Sequence, residues 1–216
     1  MFKIITPDNC HQHSDLIDEM HKMRYRIVVG EWGWDIPDIE PGYDKDPFDT
    51  ADTVYVIALT AAGEVAGTSR LNPTVGPHML SELFADYCDL QPYPVGRDVW
   101  ECSRFVTDRS LATDPVDAFR VRCRLGLGLT AYCLDNHISR LSWLTHQKFF
   151  NLVQRVWQTE PLGLPKREGD NWAWIPAVST IDEATFDRQL DRYRNAEAIV
   201  AANGAARSEA RRGKVA

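Results

Sequence analysis

Two charges and a hydroxyl sit inside a stretch that otherwise suits a β-strand: Trp100-Glu101-Cys102-Ser103-Arg104-Phe105, within Val99 to Thr107. Burying charged groups is costly unless they are paired, so such a cluster belongs to a reactive site or an ion-pair network. Strand alternation sends Glu101 and Ser103 to one face and Arg104 to the other, so a single pocket using all three requires a bulge. A second concentration runs from Arg24 to Asp49, where Trp32 and Trp34 precede Asp44, Asp46 and Asp49. Indole faces attract desolvated cations and carboxylates hold amines, which suits a positively charged small molecule. The plainer alternative makes the tryptophans core anchors and the aspartates turn caps. Arg70, in Gly67-Thr68-Ser69-Arg70-Leu71-Asn72-Pro73, is a third charge in a strand setting.

These groups need elements to hold them. Phe2 to Thr6 reads as a short strand. Leu16, Ile17, Met20, Met23 and Ile27 recur at helical spacing over residues 14 to 29, with Ser14 as the expected cap. Residues 30 to 52 lose periodicity and form a long loop of the kind that carries function. A hairpin follows over 53–60 and 64–71, then a short helix over 79–87, an irregular link, and the strand 99–107. Asp114-Pro115 opens a helix to about residue 136. A strand at 138–145, a helix at 147–157, a strand at 174–178 and a helix at 181–200 complete the pattern. Gly126 and Gly128 lie inside the 115–136 helix, where close packing explains them better than a phosphate-binding turn. The expected architecture is one α/β (α+β) domain over residues 1–200, with helices on both faces of a mixed sheet, and a frayed tail over 201–216.

Composition excludes several classes. The chain has 216 residues, 44% hydrophobic and 25% charged, with a formal net charge of −7; this fits a globular domain and disfavours nonspecific nucleic-acid binding. No apolar run is long enough for a membrane span, and proline and charge interrupt the opening residues, so a soluble cytoplasmic protein is expected. Five scattered cysteines and six scattered histidines show no metal spacing. P-loop, GxGxxG, HExxH and GxSxG patterns do not occur. Residues 1–110 carry 9 basic against 19 acidic side chains and residues 111–216 carry 15 against 12, a split that allows a cationic ligand in one half and an anionic partner in the other.

Taken in order, Glu19-Met20-His21-Lys22-Met23-Arg24, Trp34, Asp46-Pro47-Phe48-Asp49, Arg70-Leu71-Asn72-Pro73-Thr74 with Gly76-Pro77-His78-Met79-Leu80, and Trp100 to Phe105 resemble the acyl-homoserine lactone synthases, the autoinducer synthases of bacterial quorum sensing. The resemblance runs from about Glu19 to Thr107 and more weakly towards residue 165. It implies an N-acetyltransferase-like three-layer α/β/α sandwich with a mostly antiparallel central sheet. It also implies a reaction in which an acyl group passes from a thioester, on acyl carrier protein or coenzyme A, to the amine of S-adenosylmethionine. Lactone closure then releases methylthioadenosine. S-adenosylmethionine is a substrate, and no cofactor or metal is implied.

Carried over by position, the resemblance assigns catalysis to Glu101, Ser103 and Arg104, and S-adenosylmethionine binding to Arg24, Val28, Trp34, Asp46, Asp49 and Arg70. Val28 stands where the family usually has an aromatic residue. Trp143, Thr145, Phe149 and Leu152 are candidates for the acyl chain, with Leu125 and Leu129 behind them. Arg120, Arg124, Lys148 and Arg155, with Arg122, are candidates for docking an acidic carrier or coenzyme A phosphates. Two rivals share much of this pattern: a generic coenzyme A-dependent N-acetyltransferase, and a noncatalytic module that binds acyl carrier protein or S-adenosylmethionine.

Overall fold

The computed structural model describes residues 1–168 and 172–212, with residues 168, 172 and 203–212 described by backbone alone. Strand β1 (Phe2–Ile5) leads to helix α1 (Ser14–Tyr25), whose last turns widen into a π-helical segment at Arg26–Glu31. The hairpin is β2 (Val54–Leu59) and β3 (Val65–Pro73), and then come α2 (Met79–Leu83) and β4 (Val99–Thr107). Next are α3 (Pro115–Asp135), β5 (Arg140–His146), α4 (Gln147–Val153), β6 (Gln158–Pro161), β7 (Lys166–Glu168), β8 (Trp172–Thr180) and α5 (Glu183–Arg212). The sheet order is β1-β2-β3-β4-β5-β8-β6, with β7 also on β8. Among the described residues every pairing is antiparallel except β4 with β5.

The two faces of the sheet follow from the alternation of β2. Val54, Val56 and Ala58 point to a core shared with Val121, Leu125 and Leu129 of α3. Tyr55 and Ile57 point to the other core, with Met20, Met23, Ile27 and Val28 of the first helix. Helix α1 covers one face of the sheet and α3, with α5 against it, the other, so the three-layer arrangement is present. The glycines of α3 permit that stacking: a Cβ at Gly128 would come 2.7 Å from Val56 Cγ1, and one at Gly126 would meet the Gln189 amide of α5 at 2.8 Å. Asp114 caps α3, accepting hydrogen bonds from the Val116 and Asp117 N–H groups.

Some expectations change. Ser14 is the first helical residue, not the cap; His13 occupies that position with no side-chain hydrogen bond. Strands β6 and β7, too short and polar to signal themselves, extend the sheet beyond β8. Helix α5 continues to Arg212, across most of the stretch expected to fray, because Ala, Arg and Glu have high intrinsic helix propensity. Residues 213–216 of that expected tail lie outside the described residues. Among the described residues no helix is long and apolar enough to cross a membrane.

Candidate active site

Arg104 is where local geometry and chemistry meet. Residue pairs Thr68↔Val106 and Arg70↔Ser103 leave two β4 residues, Arg104 and Phe105, opposite the single Ser69 of β3. Arg104 takes a left-handed backbone conformation, φ 50°, at a cost of about 1–2 kcal/mol for a residue with a Cβ. This bulge keeps Phe105 packed on the α3-side core while Val106 returns to the α1-side core. It thereby turns Arg104 to the face that carries Glu101, Ser103 and Arg70.

Three arginines and three aspartates interlock on that face. Arg24 projects from the apolar stripe of α1 and is fully buried. Its Nε and Nη2 donate to Asp44 at 3.1 Å each, its Nη1 and Nη2 to Asp49 at 2.8 and 3.0 Å, and its Nη1 also faces Met20 Sδ. Arg104 donates to Asp44 Oδ2 at 3.0 Å and to Asp46 Oδ2 at 2.7 Å. Arg70 donates to Asp46 Oδ1 at 2.5 Å and to the Ser103 hydroxyl at 2.9 Å, and lies 3.0 Å from Asp49 Oδ2. Tyr55 adds a hydroxyl donor to Asp49, and the Asp44 carbonyl lies 2.6 Å from His21 Nδ1.

The electrostatics follow from burial and pairing. Burial disfavours the Arg24 charge, but Asp49 and Asp44 overcome it and hold the pKa above the ordinary arginine value. Burial would raise the Asp44 and Asp49 carboxyls; the surrounding arginines pull both below the usual range instead. Arg24, Asp44 and Asp49 are thus held in their charged forms, within a frame of three arginines and three aspartates whose charges offset one another. Arg24 has every nitrogen engaged inside it, by Asp44 and Asp49. Two donors are less well satisfied: Arg70 Nη2 and Arg104 Nη1 both face the weak acceptor Met79 Sδ, at 3.0 and 3.9 Å.

Glu101 stands on the same face, 2% exposed. Its carboxylate accepts the N–H groups of Met79 (3.0 Å) and Leu80 (2.6 Å) at the start of α2. Burial raises its pKa, with the Leu80 N–H, His78, Arg70 and the Met79 N–H opposing the rise. Arg104 is committed to Asp44 and Asp46. Trp34 closes the frame from above, with its ring 5.8 Å from the Arg104 guanidinium and 5.3 Å from Trp174 of β8. The π-helical turn positions it, because the Trp34 N–H bonds to the Val28 carbonyl at 3.1 Å. The indole at 34 and the carboxylates at 46 and 101 therefore belong to one contiguous constellation, linked through Arg104, Arg70 and Met79.

Beside this constellation the sheet opens. The β4–β5 ladder stops after Val99↔Arg140, Trp100↔Leu141 and Glu101↔Ser142. From Cys102 onward β4 pairs only with β3, and from Trp143 onward β5 pairs only with β8. Glu101 stands at the point where the two strands part.

The family model for "Autoinducer synthase" matches residues 8–188. This chain belongs to the autoinducer synthase family. An acyl-homoserine-lactone synthase of Agrobacterium fabrum is 27% identical over 187 residues, covering 85% of this chain and 88% of that protein. An isovaleryl-homoserine lactone synthase of Bradyrhizobium diazoefficiens is 29% identical over 200 residues, covering 89% and 85%. Among solved structures, a CoA-dependent acyl-homoserine lactone synthase, BjaI, with SAM and isopentyl-CoA superposes with a TM-score of 0.81 at 28% identity, covering 89% of each chain. An acetyltransferase-type protein of Lactobacillus plantarum, 12% identical with a TM-score of 0.54, shares the fold alone. The chain is thus an acyltransferase of the autoinducer-synthase class, with the sandwich that its motifs implied.

Other expected site residues fall in different places. Val28 is completely buried in the α1-side apolar core, which also holds Tyr55 and packs against Trp34, and it contributes its carbonyl to the Trp34 N–H. Trp143 is a core residue, its indole donating to Ser179 Oγ at 3.0 Å and its ring 5.2 Å from Trp157. Leu125 and Leu129 are core as well. Thr145 is half-buried on β5 opposite Ile175, while Phe149 and Leu152 on α4 are about half exposed. The four acyl-chain candidates are divided between core, sheet and surface.

The basic docking patch is not a single surface. Arg124 is buried, bonded to the Leu59 carbonyl and to Glu197 of α5, and Arg120 pairs with Asp117 and Glu197. Both hold α5 on α3, on the side of the sheet opposite the charged frame. Arg122 lies against the Phe119 ring. Lys148, on α4, and Arg155, just after it, are exposed. Sequence reasoning passed over Asp44 as a ligand of two arginines, and also Met79, Tyr55 and Trp174. Asp44 stood in the acidic run, but only its contacts distinguish it from a turn residue.

Proposed function

We propose that this chain acylates the amine of S-adenosylmethionine and then closes the product to an acyl-homoserine lactone, with Glu101 as the general base. The observation that carries this reading is a buried carboxylate of raised pKa, held beside a neutralised arginine–aspartate frame, where β4 and β5 separate. The amine must be deprotonated to attack the thioester, and a carboxylate whose affinity for a proton is raised by burial is suited to take that proton. The sulfonium and adenosine lie against Trp34, whose face is attractive to a desolvated cation. The substrate carboxylate displaces the Met79 thioether and accepts from Arg70 Nη2 and Arg104 Nη1, the two donors with only sulfur as partner. A carboxylate held there is restrained for attack on its own γ-carbon, and the sulfonium leaves as neutral methylthioadenosine, so closure needs positioning more than acid or base. Backbone N–H groups at the Arg104 bulge, on the side that β5 leaves unpaired, are suited to the oxyanion of the first step.

For the acyl donor we favour coenzyme A thioesters. Arg120 and Arg124 are consumed within the fold, which removes the core of a basic surface for an acidic carrier protein, and a structural relative of TM-score 0.81 is CoA-dependent. The test is incubation of the purified protein with S-adenosylmethionine and matched acyl-CoA and acyl-carrier-protein panels, read by mass spectrometry. Stoichiometric lactone and methylthioadenosine are expected from acyl-CoA. An N-acylated product without methylthioadenosine would instead make it a simple acyltransferase, and no turnover with any thioester would leave a binding module.

A further inference from the structure

We propose that Trp174 is a positioning residue for S-adenosylmethionine, which fixes from β8 the indole of Trp34 that faces the sulfonium and adenosine. This rests on the reading of Trp34 given above and adds the residue through which that ring is set.

The register of the sheet places Trp174 on the face that carries Glu101. Glu101 is opposite Ser142, and side chains of one face recur every second residue, so Ser142, Leu144 and His146 share that face of β5. His146 is in turn opposite Trp174 of β8. The step from Ser142 to His146 is about 13 Å along the strand. Trp174 therefore stands well beyond the point where β4 and β5 part, on the other side of the opening from Arg104. Trp34 spans that opening. Its ring is 5.8 Å from the Arg104 guanidinium of β4 and 5.3 Å from the Trp174 ring of β8, with the two indoles inclined at 72°. The His146 ring braces Trp174 in turn, at 5.9 Å and 82°. Arg104, Trp34, Trp174 and His146 thus form a bar across the parted strands, built from edge-on aromatic contacts of the favoured kind.

Trp34 needs such a support. It lies in the loop after the π-helical turn, outside any helix or strand. Its N–H bond to the Val28 carbonyl fixes the backbone but leaves the ring its rotamers. One edge of the ring rests on the α1-side apolar core. Two other indoles touch it, and they differ in rigidity. Trp32, at 5.7 Å, belongs to the same turn and is 46% exposed, so it moves with Trp34 and cannot anchor it. Trp174 is half-buried on a strand paired on both sides at that residue, with His146 of β5 and Lys166 of β7. The sheet therefore sets the Trp34 ring plane through Trp174. An indole held in this way presents its face to a cation before the substrate arrives, so binding does not have to order that side chain. Without Trp174 the ring is free to turn away from Arg104, and the face offered to the sulfonium is lost for part of the time.

The test is a double-mutant cycle on the full chain, read as the Kd for S-adenosylmethionine by isothermal titration and as the KM for an acyl donor that the parent protein uses. Trp174→Leu should raise the Kd about three- to tenfold, the size of one aromatic pair, and leave the acyl-donor KM unchanged. In a Trp34→Leu background the same substitution should add less than about twofold, because the ring it positions is gone. Trp174→Phe, with a smaller ring on the same backbone, should fall between the parent and Trp174→Leu, and it carries the test if the leucine variant unfolds. Additive effects in the cycle, a selective rise in the acyl-donor KM, or a loss confined to melting temperature overturns the assignment of Trp174 while leaving Trp34 in its place. An unchanged Kd in Trp34→Leu overturns the reading of Trp34 itself, and the assignment of Trp174 with it.

Discussion

Replacing Asp44 by Asn removes one negative charge from a frame of three arginines and three aspartates without changing side-chain volume. Asp44 is completely buried and is shared by Arg24 and Arg104. Breaking a buried ion pair from one side typically costs about 3–5 kcal/mol. Arg24 keeps Asp49 and Arg104 keeps Asp46, so the lower end, about 3 kcal/mol, is expected. The Asn amide also presents N–H groups to guanidinium donors, and Arg104 loses part of what holds it at positive φ against a backbone cost of about 1–2 kcal/mol. For a chain of this size the loss corresponds to a fall in melting temperature of about 6–12 °C. Urea denaturation followed by tryptophan fluorescence measures the stability change, and lactone formation measures the displacement of Arg104. A loss below about 1 kcal/mol with full activity would refute the reasoning, since it would mean the frame does not need its central carboxylate.

Glu101→Gln should keep the fold, because the Gln carbonyl still accepts one of the two α2 N–H groups and no charge remains to be desolvated, while turnover falls at least about 100-fold; a rate near that of the parent would remove Glu101 from the chemistry. The pH dependence of stability has two parts of opposite sign. Asp44 and Asp49, depressed in the fold, stabilise it above about pH 4, and that contribution drains away as pH falls through their lowered values. Glu101, raised in the fold, favours it at low pH and loses that contribution as pH climbs past its raised value. The difference between the denaturation midpoints of the parent and Glu101→Gln should therefore change across the range between the ordinary and raised glutamate values and hold constant above it. Gly128→Ala should cost about 1–3 kcal/mol by forcing its methyl group against Val56 and Phe2, with kinetics unchanged; a neutral effect in thermal denaturation would show that β1 can give way. Arg124→Ala should lower stability by about 1–3 kcal/mol through loss of the Glu197 and Leu59 contacts, without altering KM for the acyl donor. A selective rise in that KM would restore Arg124 to a docking surface.

Local pattern was enough for most elements of the fold. The three- and four-residue spacing of α1, the Asp-Pro start of α3 and the apolar stretch from Val99 to Thr107 are properties of neighbouring residues, and each element forms where the spacing places it. The chemically unusual residues were also visible, because charges in an apolar strand and aspartates after tryptophans stand out by type. Pairing was not visible. Asp44 meets Arg24 across 20 residues and Arg104 across 60, and nothing local distinguishes it from a loop aspartate that caps a turn. The arginines of α3 show the converse: Arg120 and Arg124 read as a surface for an anion until Glu197, more than 70 residues on, claims both. Residue types and local spacing thus determined which groups can react and which segments are helix or strand. Only the tertiary structure decided which face Arg104 occupies, since a one-residue register shift against β3 reverses the alternation. Long-range packing likewise decided which charges are free for a substrate, since a buried ion must find its partner wherever the fold brings one.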